Sequence, residues 1–170
     1  MDESINKLIS AIVETKYKGG TVMICGNGGL AAESEHFAAE LAGKYAFDVY
    51  VPCIALTSNS SLVTALANDI GFENLFAHQV DVFGKKSDLL IAMTTSRSKN
   101  ILKALETSKN RGIFSCAIVG VKSGEIEANF CITVSGKDTA EIQNNVIALL
   151  HKVAYQVKER LSKECLAVKG

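Results

Sequence analysis

Two separated groups of residues have the types and spacing needed for acid–base chemistry on a phosphorylated compound. A glycine-rich segment, Gly26–Gly29, is followed by His36 and Glu40, which are four residues apart. Near the other end of the chain, Gln143 and His151 are eight residues apart. Glycines let a backbone approach a phosphate closely, and a histidine beside a carboxylate can transfer protons or bind a metal ion. The chain therefore contains the parts of an acid–base or metal site.

The glycine-rich segment suits an anion site at the start of a helix. It follows the apolar run Thr21–Cys25, typical of a buried strand, and precedes a helix predicted over residues 30–42. Free N–H groups at a helix N-terminus attract anions, although the segment could also be a tight turn without a ligand. It matches the relaxed G-x-G-x-x-A pattern of dinucleotide sites. That reading is disfavoured because Thr57–Asn59, after the second predicted strand, contains no acidic residue for the ribose.

The histidines and their neighbours can be placed on helix faces. His36 and Glu40 share one face because residues i and i+4 are neighbours on a helix surface. This suits two ligands of one metal or a base beside an imidazole, but also an ordinary surface ion pair. Gln143 and His151 are separated by about 12 Å along a predicted helix and by about 80° around it. Both can face one broad cleft, but to reach one atom they would need long side chains or a subunit boundary.

A second polar segment, Thr94–Ser98, supplies four hydroxyl groups between an apolar strand and a helix. Ligands of open parallel sheets bind beyond the carboxyl ends of the strands. We therefore expect a second anion site here, although Ser98 could instead simply cap the next helix. His78 has no comparable polar company, and we expect it to be structural.

These residues depend on alternating strands and helices to bring them together. Hydrophobic periodicity predicts helices over 4–17, 30–42, 60–69, 73–83, 100–110 and 139–161, and strands over 21–25, 49–56, 88–93, 113–119 and 130–134. Such alternation implies βαβ units and a parallel sheet covered on both faces. The only proline, Pro52, favours an edge position or an irregular start for the second strand. We expect a single domain over residues 1–170.

Composition narrows the class of protein. With 48% hydrophobic and 21% charged residues, the 170-residue chain is typical of a globular domain. Its 18 basic and 18 acidic residues balance, so we expect no nucleic-acid partner. The N-terminus does not resemble a signal peptide, and no apolar run approaches the ~18 residues of a membrane span. We expect a cytoplasmic protein without a membrane partner.

The five cysteines and the final helix indicate how the chain packs. The cysteines are widely spaced without a C-x-x-C pair, and four lie in or beside apolar runs. We expect these cysteines to act as small buried hydrophobic residues rather than as zinc ligands or disulfide partners.

The final predicted helix is apolar over much of its circumference, and such a helix is usually buried on more than one side. Subunit association is one way to cover it.

Taken in order, these segments resemble the phosphoheptose isomerase family. The resemblance runs from about Lys18 to Leu161, in family order and close to family spacing, and the matching segments are Gly26–Gly29, His36–Tyr45, Ala67–Phe72, Thr94–Ser96, Ile142–Gln143 and His151. It implies an α/β fold of the SIS type, a three-layer sandwich with a parallel five-stranded sheet flanked by helices. It also implies an isomerase that interconverts sedoheptulose 7-phosphate and D-glycero-D-manno-heptose 7-phosphate through an enediol.

The resemblance implies roles for individual residues. Glu40 and His151 fall on the family's acid/base positions, and the zinc-linked positions are His36, Glu40, Gln143 and His151. The implied substrate contacts are Asn27, Gly28, Gly29, Glu40, Asn68, Asp69, Thr94, Thr95, Ser96, Ser98 and Gln143. One zinc ion per subunit, a phosphorylated heptose substrate and a homotetramer with sites at subunit boundaries are implied as well.

The chain departs from the family's pattern mainly on the phosphate side. Leu30 replaces the serine that usually follows the glycines. The Thr94–Ser98 loop is one residue shorter than usual, with Arg97 in place of a Gly-Asn pair. Arg97 could contact the phosphate or crowd it out. Because the acid/base residues are retained, we expect an active isomerase with a shifted substrate preference.

The alternative is a non-catalytic SIS-domain protein. It would be a sugar-phosphate sensor, or a scaffold resembling the replication-initiator-associating proteins. Those scaffolds lack the carboxylate of the His-x-x-x-Glu pair, whereas Glu40 is present here. The carboxylate favours the enzyme.

Overall fold

A parallel sheet forms the centre of the structure, a computed structural model that describes residues 2–169 and the side chains of residues 3–167. Its strands are β1 (Val22–Cys25), β2 (Cys53–Ala55), β3 (Leu89–Thr94), β4 (Phe114–Gly120) and β5 (Phe130–Val134), arranged in the order β2-β1-β3-β4-β5. The helices are α1 (Asp2–Tyr17), α2 (Gly29–Ala42), α3 (Ser60–Asp69), α4 (Leu75–Phe83), α5 (Lys99–Arg111) and α6 (Thr139–Lys169). The predicted alternation is confirmed, with most boundaries within one or two residues.

The sheet separates two hydrophobic cores because successive strand residues point to opposite faces. Ile24, Leu89 and Ile91 face the core beneath α1, α2 and α6. Met23 and Leu90 face the core beneath α3, α4 and α5. The three-layer α/β sandwich with a five-stranded parallel sheet is therefore confirmed.

A crevice opens where the chain changes direction across the sheet. β1 and β3 are neighbours, with Cys25 opposite Ala92 in the ladder. The connection after β1 enters α2 on one face, whereas the connection after β3 enters α5 on the other. Ligands of open α/β sheets bind at such a switch point. The two predicted anion-binding segments, Gly26–Gly29 and Thr94–Ser98, follow β1 and β3 at this place.

The second strand is shorter than the apolar pattern over 49–56 predicts, since β2 contains only three residues. The amide of Val51 donates to the carbonyl of Leu41 at the end of α2, at 3.0 Å, instead of to a strand. The carbonyl of Pro52 accepts from the amide of Val22 at 2.8 Å. The residues before β2 therefore bond to the last turn of α2 instead of extending the strand. β2 lies at one edge of the sheet, as the proline predicts.

α6 is longer than predicted, reaching Lys169 instead of residue 161. Leu161 is the last buried apolar residue among the described side chains of α6, but ion pairs one turn apart continue the helix, with Glu159 and Lys163 3.1 Å apart. The apolar residues that suggested subunit association are buried or half-buried within the chain itself: Ile142, Val146, Leu149, Leu150, Val153, Ala154 and Val157. Packing of α6 therefore does not by itself require a partner.

The remaining expectations about burial can be compared directly. Cys25, Cys53 and Cys116 are buried, as predicted for small hydrophobes, whereas Cys131 is half-buried and Cys165 is exposed. Burial raises the pKa of the Cys25 thiol. Among the helices of residues 2–169, none combines the length and apolar character needed to cross a membrane.

Candidate active site

His36, Glu40 and His151 come together where α2 packs against α6. Nε2 of His36 lies 3.1 Å from Oε1 of Glu40. Nε2 of His151 lies 3.0 Å from Nε2 of His36 and 3.5 Å from the same carboxylate oxygen. The two imidazole rings are stacked with centroids 4.9 Å apart. One chain therefore brings these three residues, the triad, together without a subunit boundary.

The triad combines a buried carboxylate with two accessible imidazoles. The side chain of Glu40 is 10% exposed, whereas those of His36 and His151 are 50% and 46% exposed. Oε2 of Glu40 is buried and has no hydrogen-bond partner. An unpaired buried polar atom is unfavourable and is often retained for a catalytic reason. This oxygen is therefore both unpaired and shielded from solvent.

The geometry of the triad fits a zinc ion. Two imidazole nitrogens that face each other need a proton or a cation between them. Around tetrahedral zinc, nitrogen and oxygen ligands at about 2.0–2.2 Å from the metal lie about 3.3–3.6 Å from one another. The three donor atoms here are 3.0–3.5 Å apart. Two histidines and one carboxylate also match the ligand set of catalytic zinc sites, which keep an open position.

Gln143 lies at the glycine-rich segment. A Cβ atom added to Gly29 would be only 2.5 Å from Nε2 of Gln143, so this side-chain amide lies directly against the backbone of the glycine-rich segment. α6 therefore reaches the glycine-rich segment through Gln143 and the triad through His151.

Lys158, which the sequence analysis missed, joins the same two helices. Its side chain is fully buried, and its ammonium group donates to the carbonyl of Gly43 at the C-terminus of α2. A cation is favourable there because it satisfies a free carbonyl and complements the helix dipole. Burial lowers the pKa of Lys158, while the negative charges of Glu40 and Asp48 act in the opposite direction. Lys158 is seven residues after His151 and therefore on the same helix face, a spacing that could have identified it.

The start of α2 is open to an anion. Gly28 occupies the N-cap position with φ 58° and ψ −121°, a conformation that favours glycine. It provides no side chain to bond the first amides of α2. Leu30, where the family usually has serine, is 3% exposed and packs in the core beneath α1, α2 and α6. The missing hydroxyl is thus replaced by core packing.

Thr94 organises the second polar loop. It is 3% exposed, and its hydroxyl oxygen accepts from the amides of Ser96 at 3.3 Å and Ser98 at 3.1 Å. Ser98 occupies the N-cap position of α5, but its hydroxyl makes no capping bond. The alternative that Ser98 merely caps this helix therefore lacks the expected bond. Thr95 is half-buried and Ser96 is exposed.

Arg97 is directed toward the connection between β4 and β5. Its guanidinium group donates to the carbonyls of Ser123 and Glu125. Its backbone φ is 62°, a left-handed conformation that is unfavourable for residues other than glycine. Arg97, which stands in place of the family's Gly-Asn pair, thus connects this loop to residues 121–125 by hydrogen bonds.

Asn68 and Asp69 lie apart from these groups. Both are exposed at the end of α3, where Nδ2 of Asn68 donates to Oδ1 of Asp69 at 2.8 Å. Within the described part of the chain, neither side chain bonds to the triad or to the two polar loops. His78 is exposed on α4, which covers the opposite face of the sheet from the triad.

Glu33, on the same helix as His36 and Glu40, has a raised pKa that should make the stability of the protein depend on pH. Its Oε2 is buried without a hydrogen-bond partner, and burial raises its pKa from 4.5 to about 7. Between these two pH values the folded state binds more protons than the unfolded state, so stability from this group is lost as pH rises. We expect Glu33→Gln to stabilise the metal-free protein at pH 8 by about 1 kcal/mol, after allowance for partial solvent screening, and by much less at pH 5.

Urea unfolding at both pH values measures this effect. Glu35→Gln, an exposed position on the same helix, is the matched control and should change stability equally at both. A Glu33→Gln variant that is less stable than wild type at pH 8 would contradict the prediction.

Comparison with known proteins identifies the family of this chain. A profile of the SIS-domain family matches residues 1–120. The chain is 37% identical over 155 residues to a phosphoheptose isomerase from Helicobacter pylori (strain P12), covering 89% of this chain and 81% of the relative. It is 40% identical over 147 residues to one from Rhodospirillum rubrum, covering 84% and 78%.

A solved structure extends the comparison. The chain superposes on phosphoheptose isomerase from Neisseria gonorrhoeae with a TM-score of 0.83 and 31% identity, over 91% of this chain and 86% of that one. The SIS-domain profile covers the segments that carry His36, Glu40 and both polar loops. The chain therefore belongs to the phosphoheptose isomerase family of SIS-domain isomerases.

Proposed function

We propose that the protein converts sedoheptulose 7-phosphate to D-glycero-D-manno-heptose 7-phosphate through an enediol. The observation that supports this most directly is the unpaired, buried Oε2 of Glu40 beside two imidazoles. The similarity to relatives named phosphoheptose isomerase supports the substrate class.

The reaction moves a proton from C1 to C2 and another between the oxygens on these carbons. The base that removes the C1 proton needs a free lone pair and little surrounding water. In Glu40, Oε1 faces the imidazoles while Oε2 has no partner and is shielded from water, so we assign the removal of this proton to the Glu40 carboxylate. His151 is half-exposed and can exchange the proton on oxygen. Glu40 and His151 thus form the acid/base pair.

One zinc ion per subunit completes the proposed site. His36, Glu40 and His151 would hold it, with Gln143 as a further candidate ligand. When bound, zinc supplies a Lewis acid that polarises a carbonyl and stabilises negative charge on an enediolate. The buried Glu40 and the α2–α6 bond of Lys158 hold the ligand set in place.

The substrate phosphate would lie at the switch point, against Gly28, Gly29 and the Thr94–Ser98 segment. Thr94, Thr95, Ser96 and Ser98 supply hydroxyl groups there, and the amides that begin α2 and α5 are not capped by side chains. Asn27 and Gln143 border the same space.

Asn68 and Asp69 would reach the substrate of a neighbouring subunit in a homotetramer. They are followed by Ile70 and Phe72, which are 40% and 55% exposed. Apolar side chains exposed beside a polar pair are typical of a surface that another subunit covers. This arrangement accounts for their distance from the triad within one chain.

The wild-type protein tests the proposal. With added zinc, it should convert sedoheptulose 7-phosphate to the aldose, and in deuterated water the product should carry deuterium at C2. Light scattering should give four times the 18.2 kDa chain mass. Sugar-phosphate binding without turnover would instead support the non-catalytic alternative, which the unpaired carboxylate of Glu40 disfavours.

A further inference from the structure

Asn27 and Asn100 form a reciprocal pair of hydrogen bonds. Nδ2 of Asn27 donates to Oδ1 of Asn100 at 2.9 Å, and Nδ2 of Asn100 donates to Oδ1 of Asn27 at 2.8 Å. Asn100 is 2% exposed, although it lies in the first turn of α5. No motif in the sequence distinguishes Asn100, and the two residues are 73 positions apart.

The pair lies across the switch point of the sheet. Asn27 belongs to the connection that leaves β1 for one face, and Asn100 begins the helix that follows β3 on the other face. The connections diverge at this point, so their separation depends on side chains that bridge the crevice. The two amides provide such a bridge.

The bridge couples the two asparagines energetically. Each side-chain amide donates one hydrogen bond to the other and accepts one from it. Removal of either side chain therefore leaves a donor and an acceptor of the other unpaired. Because Asn100 is buried, water cannot easily replace its lost partner. The two residues should therefore act as one unit.

We propose that Asn100 is a positioning residue that, through Asn27, sets the distance between Gly26–Gly29 and Thr94–Ser98 so that both segments bind one phosphate group. This rests on the phosphate position in the proposed function. A ligand shared by two loops loses affinity when their spacing changes by about 1 Å. Asn27 then acts through Asn100 rather than as an independent substrate contact.

The test measures binding of inorganic phosphate to the wild-type protein and to Asn27→Ala, Asn100→Ala and the double variant by calorimetry. We expect each single variant to weaken phosphate binding about tenfold, and the double variant to be no weaker than either single one. The matched control is Asn129→Ala. Asn129 also bridges two segments, since its Oδ1 accepts from the amide of Ser115 at 2.8 Å, but at the opposite end of the sheet. Its loss should leave phosphate binding unchanged.

Hydrogen exchange distinguishes positioning from direct contact. In phosphate-free Asn27→Ala, amides of residues 94–101 should exchange faster than in wild type. This measurement remains decisive if Asn100→Ala does not fold, because Asn27 lies on a half-exposed loop.

Four results would overturn the proposal. Weaker binding in Asn27→Ala with unchanged binding in Asn100→Ala, or unchanged exchange over 94–101, would make Asn27 a direct contact. Additive losses in the double variant would make the residues independent. If the wild-type protein does not bind phosphate, both the proposed phosphate position and the positioning role of Asn100 are ruled out. The turnover assay tests the isomerase activity separately.

Discussion

Replacement of Glu40 by glutamine should lower kcat for isomerisation of sedoheptulose 7-phosphate by about 10³-fold, and His151→Ala should also remove most of the rate. Glutamine retains the shape of the side chain but cannot accept the C1 proton. Folding should be preserved, because the lost group is a buried carboxylate oxygen without a partner. Steady-state turnover, together with exchange of the substrate C1 proton in deuterated water, measures the effect.

Two further measurements make this result specific. Glu35→Gln changes an exposed carboxylate on the same helix and should leave turnover near the wild-type value. The zinc content of Glu40→Gln shows whether the side chain acts as a base or only as a ligand. Retained zinc with lost turnover indicates the base, whereas a variant with more than a tenth of wild-type activity excludes that role.

Zinc should be present at about one ion per chain in the purified protein, and His36→Ala should lose it together with at least 100-fold of the turnover. The physical reason is the triangle of donor atoms 3.0–3.5 Å apart, which has the size of a tetrahedral ligand set. Elemental analysis measures the metal. Dialysis against a chelator followed by addition of zinc tests whether turnover depends on it.

His78→Ala provides the matched control for this experiment. It removes another of the three histidines of the chain, exposed on α4 and away from the triad. Zinc content and turnover should both be unchanged. A metal-free preparation with full activity would rule out the zinc requirement, and the His36–His151 contact would then be bridged by a proton instead.

His151 illustrates why the two experiments belong together. Its Nε2 faces both His36 and Glu40, so this nitrogen is the one available for either zinc or a proton. One nitrogen cannot hold a metal and accept a proton at the same time. The zinc content of His151→Ala therefore decides which of the two roles proposed for this residue uses Nε2.

Local patterns in the sequence were enough to predict most elements of the fold. Apolar periodicity and the glycines that end helices act over a few residues, so α2 and α5 begin and end within one residue of their predicted bounds. β2 is shorter than the pattern predicts because the amide of Val51 bonds to Leu41, ten positions away and in another element. α6 extends beyond its predicted end because the helix continues on exposed ion pairs after Leu161, the last buried apolar residue among its described side chains.

The sequence by itself determined that His36 and Glu40 share a helix face, because the i, i+4 geometry is local. It also determined that the glycine-rich segment and the Thr94–Ser98 segment follow strands. Only the tertiary structure brought His151 within 3.0 Å of a histidine 115 positions away and paired Asn27 with Asn100. These contacts depend on how α6 packs against α2 and on where the sheet changes direction. Core packing sets both, and residue spacing along one helix or strand carries no information about either.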